Sequence, residues 1–296
     1  SINLYTGTSK TGKSGMFLIS TGNSEHSHGG NIALLSGSSH ASTGGNINIR
    51  SGSSTVGKSG EIAFFSGKAD VGYTGSVSIE TGSAFKKRSG AIELKSGSSK
   101  ESAGYVLLQV GSSFGAEGGS VSIAGGKSSH STGGGVSLLA GPGGQAGGYI
   151  ELSTGTSNID GNSGFVNIAT GSTPVGASGN VVVQTGKSID RSGNLVLRAG
   201  KSGTGRGGDI SAYAGSSTKT GGSINLSSGK STSLRSGSVQ VTTGKSQKIS
   251  GGIKIFTGTS LVGNSGSVYF STGDSLEGLS GHVRIASGKG DYGGGI

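Results

Sequence analysis

Large apolar residues occur along this chain in pairs set two positions apart, and the pairs return about every 15 residues. Aligning on them gives twenty units, which begin at residues 1, 16, 31, 46, 61, 76, 91, 105, 120, 135, 149, 165, 180, 194, 209, 223, 238, 252, 267 and 282. The second position of a unit is Ile, Val, Leu or Phe in all twenty, from Ile2 to Val283, and the fourth is large and apolar in all but one, where Ala212 stands. Alternation of this kind is the period of a strand with one buried face. A lone strand cannot bury that face, so a short sustained period predicts stacked units that share a continuous core. The expectation is an all-β parallel β-solenoid, with residues 1–296 forming a single continuous repeat array. On that register Ile123→Asp should cost several kcal/mol, as an unpaired buried charge does.

Other columns refine the picture. The seventh position is Gly in every unit, from Gly7 to Gly288, which predicts a turn that needs positive φ or close backbone approach. The ninth is Ser in fifteen units, as suits a stacked hydroxyl ladder or a side chain bonded to the turn backbone. All length changes fall between this Ser and a closing Gly, so that segment is expected on the surface.

Two windings fit the spacing. With two units per coil, about 30 residues, two apolar sheets face each other; with one, a single sheet faces a return arm of Ser and Gly. The fifth column favours the first. Units one, three and five carry Tyr5, Leu35 and Phe65, whereas units two, four and six carry Ser20, Arg50 and Glu80. Stacking like with like is the better ladder. Residue 1 already lies inside a unit and Gly295-Ile296 would open a twenty-first, so the ends are expected to be uncapped and to continue into more repeat or meet other copies.

Composition supports a repeat. Gly and Pro together number 67 of 296 residues, 65 and 2. Without a period that level would suggest disorder, but polar linkers do not carry strict apolar columns. There is no cysteine, hence no disulfide framework, and no apolar run is long enough to span a membrane as a helix.

The stretch "GTSKTGKS" at 7–14 fits the phosphate-loop pattern, as does "GSSTVGKS" at 52–59. A phosphate loop presents backbone N–H groups from a helix N-terminus. Neither match leads into a helical pattern, and the spacing recurs without Lys at 67–72, 171–176 and 258–263. Lys13 and Lys58 are therefore turn residues.

Further chemistry is thin. His26, His28 and His40 lie in variable turns with no carboxylate or Cys recurring beside them, so no metal site is read. The Asp and Glu residues keep no fixed spacing, and no Ser sits in an elbow motif. The chain does not read as an enzyme and no cofactor is implied.

Charge says more. The formal net charge is +10, and Lys recurs at the eighth column as Lys68, Lys127, Lys187, Lys201, Lys230, Lys245 and Lys289. Aligned turns would make these a basic strip. They either keep the surface solvated or grip an acidic polysaccharide. Nucleic acid is not an expected partner, because the aromatics are few and not interleaved with the Lys.

The texture "SGxVxIxTGxS" resembles Gly/Ser/Thr-rich repeat proteins of microbial, and especially algal, cell surfaces. The repeat length and the Thr-Gly and Ser-Gly steps are distantly similar to ice-binding and ice-nucleation solenoids. Their outward Thr-x-Thr array is missing here, since the sixth-column Thr and Ser share the parity of the apolar columns. The likeness implies an extracellular structural role, as the shaft of a filament, fibre or surface matrix assembled from copies of the chain. The alternative is a binding module, either an adhesin for acidic polysaccharide or an ice binder. One outcome is already specified: ATP should not bind saturably, and changing Lys13 and Lys58 to Ala should leave any residual retention unaltered in a filter-binding assay.

Overall fold

The computed structural model describes residues 2–115, 117–157 and 161–290. Gly295 and Ile296 lie outside them. The described residues contain no helix and no strand. The chain divides into two units, Ser1–Glu151 and Leu152–Ile296, and the same repeat runs through both.

The predicted parallel β-solenoid, with either two or one units per coil, is thus not what the chain forms. The physical reason lies in where the backbone hydrogen bonds go. A sheet requires N–H and C=O groups to pair between neighbouring units along a ladder. The backbone bonds found instead close single units on themselves. The N–H of the last Gly of a unit donates to the carbonyl of its seventh Gly, as in Gly45 to Gly37 at 2.8 Å, Gly60 to Gly52 at 2.9 Å and Gly134 to Gly126 at 2.8 Å. The same lock recurs in the second half as Gly208 to Gly200, Gly222 to Gly215 and Gly237 to Gly229. Among the described residues eight units carry this bond and join an arm of about six residues to a pinned loop; the loop tips bend tightly, as at 10–12, 25–27 and 40–42.

Without a ladder there is no core. No described residue is buried, and the least exposed are small: Ser51, Ala69, Ala140, Ala199, Ser202 and Thr257. The alternation survives only as a gradient. Apart from Ile2, the second column is 45–64% exposed and the fourth 58–81%, while fifth-column Leu35 and Leu139 reach 91%. The order of exposure follows the sequence pattern only in part, since third-column Leu107 and Val196, at 68% and 66%, are no more exposed than the fourth column.

This reverses the expected cost of a charge at Ile123, which is 66% exposed. In dilute, unassembled protein Ile123→Asp should change stability by no more than about 0.5 kcal/mol, as a surface substitution does. Limited proteolysis and circular dichroism check this, and a loss of several kcal/mol would restore the buried register.

Candidate functional site: the glycine-locked loop and its lysines

Two glycines hold each loop, and their reasons differ. The closing Gly is favoured by space. In seventeen of the nineteen described units that end on it, a Cβ there would come within 4 Å of the sixth-column side chain, and in nine of these closer than 3.4 Å. At Gly60 it would lie 3.2 Å from the Ser51 Cβ and 3.3 Å from the Gly52 nitrogen, and at Gly30 only 2.8 Å from the Thr21 Cβ. Room at the loop base is what keeps the sixth column small. Where that column is Val110, a Cβ at Gly119 would collide with the isopropyl group, and where it is Gly125, the carbonyl of Gly134 occupies the space of a side chain.

The seventh-column Gly was expected to need positive φ or close approach. It shows neither within the chain. A Cβ would meet nothing within 4 Å at any of the twenty positions, and the positive-φ glycines are Gly176 and Gly263, at the turn tips. Its carbonyl is instead the acceptor of the lock.

The sixth column also sets how tightly the lock closes. Units with Ser36, Ser51, Gly125, Ala140, Ala199, Ala214 or Ser228 in that column have the Gly–Gly bond at 2.8–3.0 Å. Among the Thr units the bond occurs with Thr21 alone, stretched to 3.4 Å, where the Thr hydroxyl also donates to the Gly30 carbonyl. The Ser66 and Ser96 units also lack the bond, so a small side chain alone does not close the loop; what Thr adds is its γ-methyl. It faces the closing Gly, as Thr257 does Gly266 and Thr272 does Gly281, and holds the base apart.

The ninth-column Ser takes one of its two expected roles. Its hydroxyl accepts a backbone N–H two or three residues on, from Gly12 to Ser9 at 2.9 Å, Gly57 to Ser54 at 2.8 Å, Ser131 to Ser128 at 2.9 Å and Gly205 to Ser202 at 2.9 Å. Leu234 to Ser231 at 3.0 Å is a further case. These are local side-chain-to-backbone turns, the arrangement that lets Ser replace a backbone acceptor. They also dispose of the phosphate-loop matches, since the N–H groups of Gly12 and Gly57 are already bonded and no helix follows either match.

Each eighth-column Lys stands at the loop entrance, directly after the seventh Gly. Lys68 and Lys127 belong to the first half, and Lys187, Lys201, Lys230, Lys245 and Lys289 to the second. Lys68 Nζ pairs with Asp70 Oδ1 at 2.6 Å in a fully solvated setting, where such a pair contributes little. The other six carry no ion pair among the described residues. Concavities at loop mouths are open and shallow. One of about 540 Å³ is lined by Glu80, Thr81, Gly82, Ser83 and Ser89, and one of about 450 Å³ by Gln109, Val110, Gly111 and Ser112. Neither gathers a nucleophile, base and orienting group. Among the described residues no three His, Cys, Asp or Glu side chains are grouped as a metal would require, and no helix is long and apolar enough to cross a membrane.

The lock itself was not legible as a pair in the sequence, although a signal was present: apart from Val110 the sixth column is Gly, Ala, Ser or Thr, and nineteen described units end on Gly. The chain matches no family model, no curated protein and no solved structure.

The control exerted by the sixth column can be measured. Ser51→Thr should open the Gly60–Gly52 bond and speed amide exchange at Gly60 about fivefold, equivalent to losing about 1 kcal/mol of hydrogen bond. Unchanged exchange at Gly60 would show that the γ-methyl does not govern the lock.

Proposed function

We propose that this chain is a structural repeat protein that builds an extracellular filament, fibre or surface matrix by associating with copies of itself. The observation that carries the reading is exposed area. The chain presents 31216 Å² to solvent, whereas a folded protein of its 28.6 kDa presents about 11,000 Å² as one globule or about 14,000 Å² as two. The surplus corresponds to on the order of twenty standard interfaces, each of which takes about 800 Å² from one partner. A chain left so open has little apolar burial to offset the entropy of ordering its backbone, about 1–2 kcal/mol per residue. Association supplies the missing burial. The evenness of the units agrees with this role, because no unit carries an elaborated constellation of polar groups.

The second reading is an adhesin for acidic polysaccharide, favoured by the six solvated Lys residues at the loop entrances. Salt separates the two readings by sign. Copies carrying +10 each repel, so raising ionic strength from about 0.01 M to about 0.15 M, which shortens the Debye length from about 30 Å to about 8 Å, should lower the concentration at which the protein assembles. Sedimentation and negative-stain electron microscopy across that range test this. Assembly absent under all conditions, with retention on a sulfated polysaccharide column that salt abolishes, would favour the adhesin.

A further inference from the structure

Resting on the self-assembly reading, the structure assigns the contact face to the second and fourth columns, with the same columns of a second copy of this chain as occupant. Three observations select it. First, these columns hold large apolar side chains in all units but for Ala212, and every one of them is at least 45% exposed among the described residues. An apolar surface of this extent marks an interaction site, and its period is matched without defect only by an object with the same period. A second copy is such an object, and engaging many units at once multiplies a weak unit contact.

Second, charge leaves this face open and closes the alternatives. No Asp, Glu, Lys, Arg or His occurs in either column in any of the twenty units. The fifth column, although it includes the most exposed apolar residues of the arms after Ile2, is interrupted by Arg50, Glu80, Lys95 and Arg198, and the third by Glu93, Glu151, Lys254 and Arg284. Two chains of +10 that met through those columns would desolvate charges in many registers, which costs several kcal/mol for each left unpaired. Through the second and fourth columns they meet without bringing any charge into the contact, while the eighth-column Lys residues remain in water.

Third, the chain itself orders these side chains. Apart from the units of Ile2 and Phe17, the second-column residue is less exposed than the large fourth-column residue of its own unit, and the fourth less than apolar residues of the fifth such as Leu35 and Leu139. Partial ordering of these side chains within a unit reduces the ordering cost on association. The open space beside every seventh-column Gly keeps the neighbouring backbone free of obstructing side chains.

The test compares two full-length variants of equal charge. One carries Ile92→Asp, Val121→Asp and Val181→Asp on the proposed face; the other carries Leu35→Asp, Phe65→Asp and Leu139→Asp in the fifth column. Assembly threshold is read by sedimentation velocity, and the dilute protein by circular dichroism and proteolysis. The face variant should raise the threshold at least about tenfold, as loss of three buried apolar side chains requires, and the fifth-column variant should stay within about twofold of the parent. A trio with Thr in place of Asp at residues 92, 121 and 181 should raise the threshold by a smaller factor, and it keeps the test decisive if the Asp trio alters the dilute protein. Face variants assembling at the parent's concentration, or both columns mattering equally, would overturn this assignment while leaving self-assembly intact. A parent chain that stays monomeric at every concentration and salt would overturn the self-assembly reading and this assignment with it.

Discussion

Everything regular in this structure depends on one steric relation, the passage of the sixth-column side chain over the closing Gly of its own unit. A Cβ at Gly60 would already sit 3.2 Å from Ser51, so a glycine there is the condition for the loop to close at all. Closure brings the Gly60 N–H to the Gly52 carbonyl and satisfies two backbone groups within one unit. The Ser54 hydroxyl then takes the Gly57 N–H inside the loop. Small residue, glycine and serine form a self-contained module of local bonds.

That self-sufficiency has a consequence at longer range. Groups bonded inside a loop are not offered to the next unit, and the arms of neighbouring units are left with their apolar side chains in water. Ile62 and Val268, each 45% exposed, are the best covered of their column. Local bonding and absence of an apolar core go together, since the bonds that form lie within single units and none of them draws the arms of neighbouring units together. Apolar burial of about 25 cal/mol per Å² is the resource the single chain leaves unused, and association of copies is the reading that uses it.

Charge and apolarity are separated by column. The Lys residues follow the seventh Gly at loop entrances, and charges of both signs occupy odd columns of the arms, as in the Lys95–Glu93 pair at 3.0 Å. The second and fourth columns carry none. On the proposed reading the uncharged columns meet a copy of the chain while the Lys residues stay in water, and ionic strength acts on the two in opposite directions.

Much of this was readable before any coordinates. The repeat and the bond from the ninth-column Ser to the turn backbone follow from local residue chemistry, because each depends on contacts within about ten residues. The predicted β-solenoid failed at a different level. Alternation in Ile47 and Ile49 shows which side chains would share a face, but whether that face is buried depends on pairing between units, and pairing is a long-range choice on which a local period is silent. The role of the glycines was likewise divided only by the folded loop. The sequence shows a Gly at the seventh position and another at the unit's end as equals; the structure makes the end glycine a steric necessity beneath Ser51 or Thr21 and the seventh a carbonyl acceptor in open space. The order of residues along the chain determined the module, and the tertiary structure alone decided that the modules leave their apolar columns uncovered, because covering them requires pairing between units and the backbone bonds found lie within units.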